Sequence, residues 1–493
     1  MKEGVNLLNY NAMTTGNKIN NPASAVWSPS QKFIFRVCFV FFLIMIIPTD
    51  AKYYQKWVTT DWEHLHIRDM GSLSGSSFKV IEVATKRPGG NDTGGAPEKK
   101  QYDYVIYPET GEYGAWSYIN WFIAWVLGVA GALIWTLLDR KSKNYNQLYY
   151  FLEVLVSYAM IVRLQGLTFS KIFPSQMPDL ALTQLNTPFG DFVAQKLYWI
   201  QFSFVHNFER YAGYAELVIM FALLFRQTRA IGAALGIAMI GVIALANHTY
   251  DGGIHLLASF YIIGGVFVLW RYLPPIWNLI VHEKSTTLKI VYYPFSRPWE
   301  KWFRIAFKSF IFLFFFVISA YLHWDNYHND SYKVPQNPGL TNARGLYTVT
   351  DFKVNDTVVS YAPVDSLRWQ DVTLEKWSTL SFTVFNTFDI HGEAGRGKQY
   401  KDIDRTYESA GTGGGRRHFY YEIDSVNKII TLKNKNKVYE SQVLRLHYQR
   451  PDANEILLKG NNEYGQPISM LLTKRPKQYL VYQDRGQQNI WTP

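Results

Sequence analysis

A single cysteine, Cys38, stands in 493 residues. One thiol cannot close an intrachain disulfide, form a Cys-x-x-Cys redox pair or build a zinc ribbon. The His-Glu-x-x-His pattern of zinc hydrolases is missing, and the glycine run Gly411–Gly415 lacks the Lys-Ser/Thr of a phosphate loop. Charge is scarce as well: Asp, Glu, Lys and Arg make up 18% of the chain, and several windows hold almost none. The net charge of +11 does not read as a nucleic-acid footprint, because the basic residues gather in short segments beside apolar runs. No secretory signal is expected, since the first apolar run begins only at Phe33 and no small-residue cleavage site follows it.

Aromatic residues, by contrast, are abundant at 17%, with 34 Tyr and 16 Trp. Both types suit a membrane boundary, having an apolar body and a polar tip. Mean hydropathy is −0.11, an average over two populations of sequence. Seven apolar stretches are predicted to cross a bilayer: 33–49, Ala115–Leu138, Gln147–Phe169, Val205–Phe225, Ala230–Ala246, Gly253–Trp270 and Ile305–Leu322. Arg36, inside the first, is expected to snorkel to the interface. Arg140, Lys141, Lys143, Arg226, Arg229 and the basic residues from Arg271 to Arg304 fall on one side, whereas the short loops opposite carry only Lys171 and Lys196. That bias places the N-terminus in the cytoplasm and the C-terminus outside it. The small residues of the fifth stretch, including Gly232 and Gly236, suggest a central helix approached closely by its neighbours.

The remaining segments are polar. Residues 1–32 read as a flexible cytoplasmic tail and 50–114 as an extracytoplasmic loop or subdomain, with a candidate strand at Phe78–Val83. The region 115–323 holds the second to seventh helices. Residues 333–493 are predicted to be β-rich. Strand-like runs include Gly345–Val354, Phe419–Ile423, Ile429–Lys433, Val443–Tyr448, Ile468–Thr473 and Tyr479–Tyr482, separated by turn signals. Asp389–Gly415 reads as a mobile, glycine-rich insertion. The expected fold is a membrane all-α helical bundle of about seven helices plus a C-terminal all-β sandwich or small barrel.

His206, Glu209, Gly213, Glu216 and Met220 recur at spacings that share one helical face. Glu216 falls roughly 15 Å from the inner boundary at 1.5 Å per residue. A carboxylate at that depth costs on the order of 3 kcal/mol unless it is paired, hydrated or protonated. Arg163 and Lys171 on the third stretch, Arg210 on the fourth, Asn247, His248, Tyr250 and Asp251 after the fifth, and His255 on the sixth lie at similar height. They suggest an outward-opening polar pocket floored by Glu216, with Glu216, His248 and Asp251 as candidate catalytic groups. A buried ion-pair network and a proton or ion path are the other readings of the same residues. The pair His248 and His255 with Asp251 lacks a metal-site signature, and no metal is expected.

The stretch Ile134–Lys141, the motif Ser170-Lys171-Ile172-Phe173-Pro174-Ser175-Gln176-Met177-Pro178, the run Arg210–Glu216 with Leu224–Ala233 after it, and Asn247, Tyr250 and Asp251 together resemble the DoxX-like family of bacterial membrane proteins. Gly345-Leu346-Tyr347, Arg368-Trp369 and Arg485-Gly486 resemble the C-terminal β-domain of its longer Bacteroidota-type members. His206, Asn207, Glu209 and His255 depart from the family pattern. The resemblance implies a four-helix core at about 147–272 and fixes no activity, although some relatives are associated with quinone-linked redox steps. Three functions stay open. The first is a binding, assembly or accessory subunit of the bacterial inner membrane, its periplasmic β-domain meeting a protein partner. The second is an enzyme acting on a quinone or another lipid-soluble substrate at the polar pocket. The third is a transporter. No cofactor is identified, a quinone is compatible with the second reading, the bilayer is a partner in all three, and nucleic acid in none.

Overall fold

In a computed structural model, residues 26–74, 78–83, 104–106, 114–287, 293–331, 333–386 and 401–483 are described. The tail 1–25, most of the 84–113 loop and the first half of the glycine-rich insertion lie outside them.

The chain begins with α1 (Pro29–Ile46), α2 (Ala51–Thr59) and α3 (Ile67–Leu73). Helix α1 starts four residues earlier than the apolar run suggests. Ser28 and Gln31 form a reciprocal capping box and Pro29 occupies the first turn, a start that needs no apolar residue. Arg36 is buried and donates to the Tyr145 hydroxyl, to Thr136 Oγ1 at 2.6 Å and to the Asp139 carbonyl at 2.9 Å. A two-strand parallel pair, β1 (Ile81–Val83) and β2 (Tyr104–Ile106), lies at the start of α4 (Ile119–Leu138), where Asn120 bonds the backbone of Val80 and Ile81.

Helix α5 (Asn146–Ile172) leads through α6 (Leu182–Leu185) and α7 (Ala194–Ile200) to α8 (His206–Leu224), α9 (Arg229–Thr249), α10 (His255–Leu269) and α11 (Leu273–Ile280). Then α12 (Pro298–Phe312) continues through one π-helical turn into α13 (Ser319–His328). Among the described residues, five helices are long and apolar enough to cross a membrane: Pro29–Ile46, Ala115–Leu138, Asn146–Ile172, Arg229–Thr249 and Pro298–His328. A sixth crossing arises if α10 and α11, bent by 75° before Pro274-Pro275, count as one. Helix α8 has the length, but Glu209, Arg210 and Glu216 lower its hydropathy. The arrangement is that of a membrane protein, and its exposed aromatics fit. Trp270, Trp277, Trp299 and Trp302, at or near the ends of α10, α11 and α12, are exposed, as are Trp116 and Trp324.

The central helix is α5, with 56% of its apolar window buried against 33% for α9. Small residues therefore did not identify the centre. They let α9 sit close to α8 and α10, while Ile231, Leu235, Val242 and Leu245 on its other face stay exposed. The approach is tightest at Gly232, where a Cβ would stand 2.8 Å from the Leu223 amide nitrogen; at Gly236 the nearest atom would be at 3.5 Å.

The C-terminal domain is a barrel. Strands β3 (Gly345–Val354), β5 (Asp371–Leu374), β6 (Thr379–Thr383), β7 (Arg416–Asp424), β8 (Ile429–Asn434), β9 (Val443–Gln449), β10 (Glu455–Asn461) and β11 (Pro467–Lys474) pair antiparallel in sequence order, and β11 closes on β3; β4 (Thr357–Val358) is a short appendage to β3. In β9, Leu444, Leu446 and Tyr448 point inward and their neighbours outward, as alternation demands. Eight strands leave an interior that side chains just fill. Tyr347, Phe352, Phe382, Phe419, Leu432 and Met470 occupy it, with Trp369 stacked on Phe382 at 3.7 Å. The run Tyr479–Tyr482 is not a strand; its residues from Leu480 form a helical turn.

Replacing Gly232 by Ala should destabilise the bundle by about 1–3 kcal/mol through overpacking. Gly236→Ala should be neutral or gain up to ~1 kcal/mol from helix propensity. Thermal unfolding in detergent measures both, and equal effects would refute the close approach.

Candidate functional site

The barrel meets the bundle along a seam, and the seam is polar. The irregular segment between α5 and α8 supplies one side. The Glu375 carboxylate, at the start of the β5–β6 turn, accepts the Thr183 amide at 2.7 Å and the Leu182 amide at 3.1 Å. Burial, with Glu408 nearby, pushes this carboxyl well up from its ordinary range, and the two amides oppose that rise. Thr183 Oγ1 also meets Ser381 Oγ at 2.8 Å and His418 Nε2 at 3.1 Å.

The described half of the expected mobile insertion, residues 401–415, is the other side, and it is largely buried. The Val193 amide donates to the Gly411 carbonyl at 3.0 Å and the Gly413 amide to the Asp191 carbonyl at 2.6 Å. The glycines make this possible. Gly411 and Gly414 have positive φ, and a Cβ at Gly414 would stand 2.2 Å from the Asp191 carboxylate. Beneath the loop, Glu408 accepts from Trp377 Nε1 at 2.6 Å, Thr379 Oγ1 at 2.7 Å and Lys435 Nζ at 2.6 Å. Asp330, just past α13, binds Arg405 at 3.0 Å and Arg68 of α3 at 3.1 Å. The 50–74 segment is thus tied to the barrel as well as to the bundle.

A cavity of about 350 Å³ lies in this seam. Its walls come from α3 (Met70, Gly71), α5 (Gln165, Gly166, Leu167), the linker (Gln176, Lys196, Trp199), α13 (His323), Lys333 and the barrel loop (Tyr407, Gly411). Tyr407 is the centre of its polar wall. Its hydroxyl meets Ser203 Oγ at 3.0 Å, its carbonyl accepts from Lys196 Nζ, and its ring faces the ammonium groups of Lys196 at 4.1 Å and Lys333 at 5.6 Å. Lys333 also donates to the Gln176 carbonyl at 2.6 Å. Burial, and to a lesser degree Lys333, lower the Lys196 pKa to about 7. None of the described residues lining the cavity is an Asp or a Glu.

The residues expected to form one outer pocket divide into two groups. Glu216, fully buried, accepts Lys171 Nζ at 2.8 and 3.0 Å, so it closes an ion pair and does not line the cavity. Arg163 is not its partner: it donates to the Met45 carbonyl at 2.8 Å and lies over the Phe260 ring at 4.1 Å. His206 bridges Asp179 at 3.0 Å and Glu209 at 3.5 Å, while Arg210 reaches Asn207 at 3.3 Å. The second group centres on Tyr118, whose hydroxyl meets His248 Nε2 at 2.7 Å and Ser259 at 2.6 Å. His255 pairs with Ser117 at 2.8 Å. Asn247 shapes the turn into α10: its side-chain amide donates to the Ile243 carbonyl at 2.8 Å and its side-chain oxygen accepts the Ile254 amide at 3.3 Å. Tyr250 stacks on Tyr198 at 5.1 Å, and Asp251 sits exposed at positive φ, its carbonyl accepting from Gln195 at 2.6 Å. Among the described residues no three His, Cys, Asp or Glu side chains converge as a metal would need. Lys196, Lys333, Tyr407 and His323 were missed, since each looks ordinary in its own segment; the three prolines of 173–195 were the one hint that this linker is ordered.

The Lys171–Glu216 pair gives a test. Lys171→Met or Glu216→Leu alone strands a buried charge and should cost roughly 3–5 kcal/mol, whereas the double variant should cost less than either sum implies. Strictly additive losses in thermal unfolding would show that the two groups do not stabilise each other.

No family model and no solved structure matches the chain. Over 72 residues, 15% of its length, it is 29% identical to the uncharacterized protein YwoB of Bacillus subtilis (strain 168), and the match spans 47%, about half, of that protein.

Proposed function

We propose that this chain is an inner-membrane binding protein that holds its ligand in the seam between bundle and barrel. In this reading seven helices cross the bilayer, α8 and α10 among them, and the barrel stands in the periplasm. The resemblance to DoxX-like proteins with a C-terminal β-domain belongs to the same proposal. The observation that carries it is that both domains build the cavity wall. A barrel serving only as a tethered recruiter would need no buried contacts with its anchor. Here Glu375, Tyr407, Gly411 and Arg405 all bond to the helical part, and the cavity beside Tyr407 and Gly411 is lined by residues from both domains. Pockets shared between domains are a common place for ligands, and this volume is at the small end of their range.

Gly71 and Gly166 line the cavity, and a Cβ on either would meet no atom within 4 Å. Gly166→Leu should therefore fill the space without strain and keep or raise thermal stability. Native mass spectrometry of wild-type protein extracted with its own lipid should show a retained small molecule, lost in Gly166→Leu. A wild-type protein that carries nothing, or a plugged variant that keeps the adduct, would refute the reading.

For the topology, Val426 lies at an exposed hairpin tip. In a Cys38→Ser background, Val426→Cys should react with a membrane-impermeant maleimide on intact spheroplasts. Labelling only after lysis would place the barrel in the cytoplasm.

A further inference from the structure

We propose that the ligand of the seam cavity is an amphiphile whose anionic head, a phosphate or a carboxylate, is held by Lys196 and Lys333 while the first part of its chain lies against the bundle. This rests on the binding role above and names the chemistry of the occupant.

Charge is the first argument. Lys196 is 6% exposed, and the acceptor of its ammonium is a main-chain carbonyl. Removing an ammonium group from water without a counter-ion is costly, and a carbonyl dipole with an aromatic face offsets only part of that cost. The nearest carboxylate on the barrel loop, Glu408, is already engaged by Lys435, Trp377 and Thr379. Lys333 adds a second ammonium on the same aromatic ring. No acidic residue is among the described residues of the lining, so an entering anion meets two ammonium groups there, while the nearest carboxylate acting on Lys333 and Tyr407, Glu209, stands behind the wall.

Polarity across the cavity is the second. Both lysines cluster at Tyr407, on the barrel loop. The helical elements contribute the apolar side chains of the lining, Ile67 and Met70 of α3 and Leu167 of α5, together with the polar Gln165, Ser170 and His323. Leu167 lies five residues before the end of α5, at the level where the bundle passes from apolar to polar surroundings. A head at the barrel and a chain toward the bundle follow from that gradient. The volume suits a head group with the start of a chain rather than a whole lipid.

The test uses the full chain in nanodiscs of neutral lipid. Octyl phosphate, octanoate, neutral octyl glucoside and inorganic phosphate are titrated separately by calorimetry. The anionic octyl probes should bind at least about tenfold tighter than octyl glucoside, and also tighter than inorganic phosphate. Lys333→Met, at the more exposed lysine, should reduce that preference about tenfold, and Lys196→Met should do so again if it folds. Gly166→Leu should abolish binding of the octyl probes. Equal binding of octyl glucoside and octyl phosphate would overturn the anionic head while leaving a ligand cavity in place. Inorganic phosphate binding as tightly as octyl phosphate would overturn the amphiphile in favour of a free anion. Binding of none of the probes, in protein that does retain a native molecule, would overturn this inference alone; if no native molecule is retained either, the binding role falls with it.

Discussion

The structure depends on how one irregular segment satisfies its backbone. Between α5 and α8 the chain runs from Phe173 to Val205 with only short helical turns, and three prolines rule out a continuous helix. Such a segment beside a membrane must find partners for its amide groups. It finds them on the barrel. Leu182 and Thr183 donate to Glu375, Val193 donates to Gly411, and the Asp191 carbonyl accepts Gly413. The barrel is therefore part of how the helical domain completes its own hydrogen bonding, and the seam cavity is a consequence of that joint construction.

Charges inside the molecule follow a related logic. Arg229 with Glu153 at 3.2 Å, Lys171 with Glu216, and Lys435 with Glu408 are buried pairs that each neutralise a charge where water is excluded. Pairs of this kind specify which helix or loop sits against which, and add little net stability. Lys196 differs from these pairs in that its contacts are a carbonyl and a ring, a pattern it shares with Arg163 on α5. What separates Lys196 from Arg163 is its place in the cavity wall, with the ammonium of Lys333 on the same ring.

Much of the architecture could be read from the sequence because its signals are local. Strand β3 has the bounds that alternation gave it, and β8, β9 and β11 differ by a residue or two. The choice between sandwich and barrel was not legible, since it rests on β11 pairing with β3 more than a hundred residues away in sequence. Helix starts slipped where caps, not apolar residues, decide them, as at Ser28. The glycine-rich insertion looked mobile because composition cannot tell a solvated loop from one whose glycines permit close approach; Gly414 against Asp191 is the second kind. At the site, spacing put Glu216 on an inward face and height put Lys171 within reach. Periodicity could not say that Lys171 would take Glu216, that Arg163 would turn to Met45, or that Tyr407 would arrive from the barrel to meet Lys196.

The cavity itself needs a reason to persist. Interiors are close-packed, and space left beside a helix gives up packing contacts. Filling it would be simple, because two of its lining residues are glycines with open space where a side chain would stand. One of them, Gly166, lies inside a long helix, where any other residue except proline is a better helix former. The chain thus forgoes both packing and helix propensity at the same point. A space bordered by two ammonium groups is not dry. Its occupant is either exchangeable water, which would explain the polar groups of the lining but not Ile67, Met70 and Leu167, or a molecule with a charged end and an apolar end, which accounts for both sets at once.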